Sequence, residues 1–199
     1  NEGYTPRWRE EVKSTEEWWE RIDRRFAAIA ERYGDKYAEY DLINETLFCT
    51  KYQNENNPLF PPYDAPETTK RLAEIARKRL PAEAVIFPLE QFMPTLHDGN
   101  TYFQKALAHY KAVIEAGAPI DALGWQAHFY TQKSTFQSGN NMAGPDTFRM
   151  KEIEKGMDRL AELGLPIHIT EFNPPSRDTK NKNPDQARLS DEEVAEWTV

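Results

Sequence analysis

Residues 40–49 read YDLINETLFC: a short apolar strand over 40–44 that runs through Asn44 directly into an acidic residue, Glu45. A second strand, PIHITE over 166–171, ends the same way at Glu171 and opens into FNPPSR. An acid after a strand means little by itself, so the elements between the two decide the reading. STEEWWERIDRRFAAIAERYGDK predicts a helix that Ser14 and Glu17 start as a capping box and Gly34 stops. Trp18, Ile22, Phe26 and Ile29 recur at helical spacing and predict its buried stripe. A long polar, proline-rich loop follows the first strand, then a helix over 66–80 with Leu72, Ile75, Ala76 and Leu80 on its apolar side. Strand and helix then alternate: AVIF (84–87), a helix over 100–117 closed by Gly117, DALGWQAHF (121–129), a helix over 146–164 closed by Gly164, PIHITE, and the start of a helix over 189–199.

Strands separated by crossover helices imply a parallel sheet of right-handed βαβ units. No Gly-rich turn follows a strand in the pattern that cradles a phosphate, which disfavours a nucleotide-binding doubly wound sheet. A barrel gathers its chemistry at the C-terminal ends of its strands, where Asn44, Glu45, His128 and Glu171 all fall. The expected fold class is therefore α/β, a (β/α)8 TIM barrel. A closed barrel takes about 250 residues, whereas this chain has 199 and reads as a few strands with flanking helices. The expectation is that residues 1–199 form part of one catalytic barrel, entering after an absent strand and ending before the last. An open half would leave parallel edges exposed, so strands from a missing segment or another chain should close it.

Composition narrows the function classes. The chain carries 33 acidic and 25 basic residues, a formal charge of −8, with no basic run, so a nucleic-acid partner is not expected. No apolar run approaches a membrane span, and the opening NEGYTPRWREE is neither a signal nor a transit peptide. The single cysteine, Cys49, excludes an internal disulfide and has no histidine base beside it, so it reads as a packed loop thiol. No HExxH-like spacing supports a metal site, and no cofactor is implied. Among the histidines, His168 alternates away from Glu171 toward the helical layer. His97 and His109 are expected in solvent, His109 because it lies outside a stripe of Phe103, Leu107, Tyr110 and Ile114.

Two carboxyl groups facing one cleft can divide the cleavage of a glycosidic bond, one donating a proton and the other attacking or positioning water. Strand alternation would put Glu171 on the face of Ile169 and Ile167, and Glu45 on that of Ile43, giving each carboxyl an apolar floor that raises its pKa. Gly124, Gln126 and His128 would share a face, with His128 at the mouth and Gln126 a layer lower. From pattern alone two readings stay open: a catalytic pair, or ordinary surface carboxylates that begin loops.

DLINETLF resembles the WDVVNE motif of family 10 glycoside hydrolases, retaining endo-β-1,4-xylanases built on a (β/α)8 barrel. APIDALGWQAHF resembles that family's G-PIDGIGLQSHL strand, and LPIHITEFNPPSR its LPIHITELDI strand. The motifs occur in the family's order, and the resemblance covers about residues 8–199. It implies that the chain supplies roughly strands four to seven, with Glu45 on strand four as acid/base and Glu171 on strand seven as nucleophile. Asn44 would hydrogen-bond the 2-hydroxyl of the sugar in the −1 subsite, His128 would orient the nucleophile, and Gln126 would support it from behind.

The sequence departs from that family at three places. Asn173 stands where an Asp usually follows the nucleophile, which removes a charged partner for His128. Pro88, Leu89 and Glu90 replace an Asn-Asp-Tyr run on strand five, so Glu90 or Gln91 is expected to reshape a positive subsite. Tyr40 replaces the Trp that opens the strand-four motif. The family's early strands and its Trp-bearing eighth strand have no counterpart here, which implies a missing N-terminal half of the barrel, a region that carbohydrate-binding modules interrupt in some members. The implied partner is xylan or a xylo-oligosaccharide, and a polymeric substrate implies an extracellular or periplasmic setting. The competing expectations are a related β-glycanase acting on glucan or decorated xylan, a non-catalytic carbohydrate-binding barrel, and a structural module.

Overall fold

The computed structural model describes residues 11–47, 59–91, 101–127, 150–172 and 195. Its elements in chain order are α1 (Thr15–Tyr33), β1 (Glu39–Asn44), α2 (Pro66–Arg79), β2 (Val85–Glu90), α3 (Thr101–Glu115), β3 (Leu123–Trp125), α4 (Met150–Ala161) and β4 (Ile167–Ile169). The strands form one sheet in the order β1-β2-β3-β4, with β2 parallel to β3 and β3 parallel to β4. Helices alternating with neighbouring strands make this a partial (β/α) barrel, as the alternation predicts. Two compact units divide the chain: residues 1–88 with 112–121, and residues 89–111 with 122–199.

In the first unit, the Ser14 hydroxyl accepts from the Glu17 N–H at 3.1 Å and starts α1. The reciprocal arm of the expected capping box reaches one residue further back, the Glu17 carboxylate accepting from the Lys13 N–H at 2.9 Å. That bond, aided by Arg21, holds the Glu17 carboxyl below its ordinary range. Gly34 ends the helix in an ordinary right-handed conformation. Its value is room: a Cβ there would stand 2.6 Å from the Ala30 carbonyl oxygen. Gly117 and Gly164, which follow α3 and α4, have the positive φ of left-handed helix closers.

Trp19, Leu42, Ile43, Leu72, Ala73, Ala76, Leu80, Ala84 and Ile86 form the core of this unit. The stripe expected from α1, Trp18, Ile22, Phe26 and Ile29, packs against it half-buried. Arg77 of α2 ties the start of β2 in place. Its Nη1 donates to the Ala84 carbonyl at 2.6 Å, and it pairs with Asp121, whose carboxylate also accepts from the Ile86 N–H.

In the second unit, Leu89 and Glu90 of β2 register with Gly124 and Trp125 of β3, and Leu123, Gly124 and Trp125 register with Ile167, His168 and Ile169 of β4. Two expectations change. The strand over 84–87 runs on through Pro88 to Glu90, because the pairing resumes past the proline. His109 is buried, with its ring centroid 6.2 Å from that of Tyr110, and is not in solvent. The buried face of α3 is Phe103, Ala106, Tyr110 and Val113, rotated from the expected 103, 107, 110 and 114 stripe far enough to carry His109 inside. Of the helix expected over 146–164, α4 covers Met150–Ala161 and residues 146–149 lie outside the described residues. Of the last expected helix, only residue 195 is described, and it is helical.

Candidate active site

In the first unit, β1 carries Leu42 and Ile43 into the core and ends at Asn44, which is exposed. The Asn44 carbonyl accepts from the Tyr63 hydroxyl at 3.2 Å, fixing the strand's last peptide. Glu45 follows with φ 53°, a left-handed conformation uncommon for a residue with a side chain. Thr46 and Leu47 are already helical, and Thr46 is fully buried. Glu45 is thus the single residue over which extended chain turns into helix, and it is half-buried. The alternation expected to set it on the Ile43 face stops at Asn44, because that rule needs extended backbone. Positive φ at a non-glycine residue is a form of strain that concentrates at functional sites.

The second unit joins three strand ends in a row. The Gln126 N–H donates to the Glu90 carbonyl at 3.2 Å, and the Glu171 N–H donates to the Gln126 carbonyl at 3.1 Å. Gln126 is buried. Ala127 follows it with φ 56° and is also buried. The strand expected over 121–129 therefore closes at Trp125, and alternation does not carry past the left-handed Ala127. His128, Asn173, His97 and Cys49 lie outside the described residues.

Glu171 is exposed. The apolar floor expected beneath it is open: Ile169 is 54% exposed and Ile167 only half-buried. The physical reason is its position, since β4 stands at one end of the sheet order. Asn44 and Glu45 thus belong to the first unit, and Gln126 and Glu171 are brought together in the second.

Glu90 is the largest departure from the sequence reading. Its side chain is fully buried, and its Oε2 accepts from the Tyr102 hydroxyl at 3.3 Å. Through the Tyr102 side chain, Glu90 is engaged with the helix that follows its own strand. Burial pushes the Tyr110 phenol well above its ordinary range, and the nearby Glu90 charge adds to the shift. The Tyr110 hydroxyl donates to the Gly124 carbonyl at 2.6 Å. Sequence reasoning missed Tyr102 and Ala127: a tyrosine in the first turn of a helix and an alanine in an apolar run carry no local signal of these roles.

A groove of about 530 Å³ lies between α1 and α2, lined by Trp19, Asp23, Arg71 and Lys78 among others. It contains none of the expected site residues, and the Arg71 guanidinium covers the Trp19 ring at 4.9 Å. Among the described residues, no group of three His, Cys, Asp or Glu side chains is arranged to hold a metal ion, and no helix is long and apolar enough to cross a membrane.

Parallel strands joined by helices, with acidic residues at their C-terminal ends, are the architecture of a (β/α)-barrel enzyme. The chain belongs to glycosyl hydrolase family 10, whose family model matches residues 2–196. It is 26% identical over 156 residues to endo-1,4-beta-xylanase A of Caldicellulosiruptor saccharolyticus, an alignment covering 77% of this chain and 40% of that protein. Among solved structures it is similar to a GH10 xylanase of Thermobacillus composti (TM-score 0.63, 24% identity, 97% of this chain and 51% of that one). It is also similar to a GH10 structure from Paenibacillus barcinonensis (TM-score 0.59, 19% identity, 90% and 48%). The chain therefore spans about half the length of the relatives it matches, or less.

Proposed function

We propose that the complete protein hydrolyses internal β-1,4-xylosidic linkages of xylan with retention of anomeric configuration. The observation that carries this reading is the placement of Glu45 and Glu171 at strand ends, within motifs DLINETLF and LPIHITEF, in a member of glycosyl hydrolase family 10. Ionised Glu171 attacks the anomeric carbon while Glu45 gives its proton to the departing glycosidic oxygen, whose bond to that carbon breaks. Water then attacks the glycosyl ester, Glu45 takes its proton, and Glu171 leaves as carboxylate. Two carboxyl groups about 5–5.5 Å apart serve this double displacement. Asn44 holds the 2-hydroxyl of the bound sugar, His128 orients Glu171, Gln126 supports the nucleophile's strand end, and Asn173 offers an amide where a carboxylate would add charge.

In this reading the chain supplies strands four to seven, and an N-terminal half, with or without inserted carbohydrate-binding modules, completes the barrel and the sugar site together with a last strand. A substrate too large to enter a cell places the enzyme outside it or in a periplasm. A second reading, a related retaining β-glycanase on glucan or decorated xylan, is favoured by one observation: β2 runs VIFPLE, with Glu90 buried where an Asn-Asp-Tyr run is expected.

The test is hydrolysis by the complete protein of xylan and of mixed-linkage β-glucan, with Glu171→Ala beside wild type. Xylan cleavage that Glu171→Ala abolishes, while glycan binding persists, is the expected result. Faster glucan cleavage would select the second reading, and equal turnover by the variant would remove the role given to Glu171.

A further inference from the structure

We propose that Glu90 is a positioning residue for Glu171, acting through the backbone of Gln126. The proposal rests on the hydrolase reading for what Glu171 does, and on the hydrogen bonds between strand ends for how Glu171 is held. A carboxyl taken fully out of water is costly unless hydrogen bonds hold it, and an apolar residue would fill the same space at lower cost. Glu90 is such a carboxyl, at the last position of β2. Tyr102, a residue of the first turn of α3, donates its hydroxyl to it at 3.3 Å. The side chain thereby pins the end of β2 to the start of α3.

The main chain of the same residue carries the next link. The Glu90 carbonyl receives the Gln126 N–H at 3.2 Å, and the Gln126 carbonyl receives the Glu171 N–H at 3.1 Å. Glu90 also registers with Trp125, and Trp125 with Ile169. Ala127 then turns left-handed, so Gln126 is where β3 gives up its regular course. A shift of Glu90 passes through two hydrogen bonds to the backbone of Glu171. Loss of the carboxyl would also leave the Tyr102 hydroxyl without this acceptor, which favours such a shift.

The experiment uses the complete protein with Glu90→Ala, Glu90→Gln and Tyr102→Phe, reading kcat, KM and folded fraction on xylan, with amide hydrogen exchange. Misplacement of a reacting group predicts that Glu90→Ala lowers kcat per folded molecule about tenfold or more with little change in KM. Glu90→Gln, which keeps an acceptor oxygen, restores most of the rate, and Tyr102→Phe falls between. The amides of Gln126 and Glu171 exchange faster in Glu90→Ala, whereas that of Leu123, bonded to the Pro166 carbonyl, does not. Unchanged exchange at Glu171 overturns the linkage, and an activity loss that only tracks folded fraction overturns the positioning role. A wild type that hydrolyses neither xylan nor glucan overturns the hydrolase reading and the role of Glu171 with it, while the exchange result still decides the linkage.

Discussion

Two strand ends carry the acidic residues, and they are finished differently. At the end of β1, Ile43 is buried, Tyr63 bonds the Asn44 carbonyl, and Glu45 turns left-handed into a helical step anchored by fully buried Thr46. At the end of β4, the Glu171 N–H is held by the Gln126 carbonyl, but Ile169 lies 54% exposed and Phe172 49% exposed. The first end is enclosed by its own unit. The second is positioned along the sheet yet uncovered on its surface, where the proposed completion of the barrel would add apolar cover.

Catalysis gives the largest test of that contrast. In the complete protein, Glu171→Ala lowers kcat on xylan on the order of ten-thousandfold or more, the scale of losing a catalytic group that acts in concert with others. Glu45→Ala lowers kcat/KM, which reports the glycosylation step, about a hundred- to ten-thousandfold on xylan and far less on an aryl glycoside whose leaving group needs no proton. Equal losses on both substrates would take the acid role from Glu45.

Stability sharpens the same comparison. Ile43→Ala costs about 2–5 kcal/mol, as for a buried isoleucine, by denaturant unfolding. Ile169→Ala, exposed here, costs within about 0.5 kcal/mol in this chain by itself. A cost matching that of Ile43→Ala in the complete protein is the outcome expected if the proposed completion of the barrel covers Ile169; a small cost there would contradict it. At Ala127, glycine relieves the left-handed backbone and is neutral or stabilising by up to about 1 kcal/mol, whereas valine costs about 1–3 kcal/mol.

The smallest effect is electrostatic. Hydrogen bonding to Arg79 holds the Asp23 carboxyl below its ordinary value of 3.8. A carboxyl depressed in the folded state stabilises the fold above that pH, and the contribution fades as acid protonates it. Asp23→Asn should cost about 0.5–1 kcal/mol near neutral pH, with the difference from wild type shrinking as pH falls below 3.8. A difference constant with pH would remove the ion pair as its cause.

What the sequence disclosed was local. Ser14 and Glu17 mark the start of α1 because capping needs only neighbouring residues, and Gly117 and Gly164 mark helix ends because positive φ favours glycine. The strand-end acids were legible because a barrel places chemistry there and three motifs carry the resemblance. Glu45 was given a face by strand alternation and Ala127 was read inside a strand, since neither residue type advertises a left-handed backbone. His109 was misplaced because a small rotation of the apolar stripe on α3 suffices to bury it. The Glu90–Tyr102 bond depends on a strand and a helix meeting in three dimensions, which periodicity does not encode.

The most direct test of the central claim is peptide mass spectrometry of the complete protein after reaction with a 2-deoxy-2-fluoro xylobioside bearing a good leaving group, which slows hydrolysis of the glycosyl ester. The account predicts a sugar esterified to Glu171. A label on any other residue, or steady turnover with no covalent adduct, would contradict it.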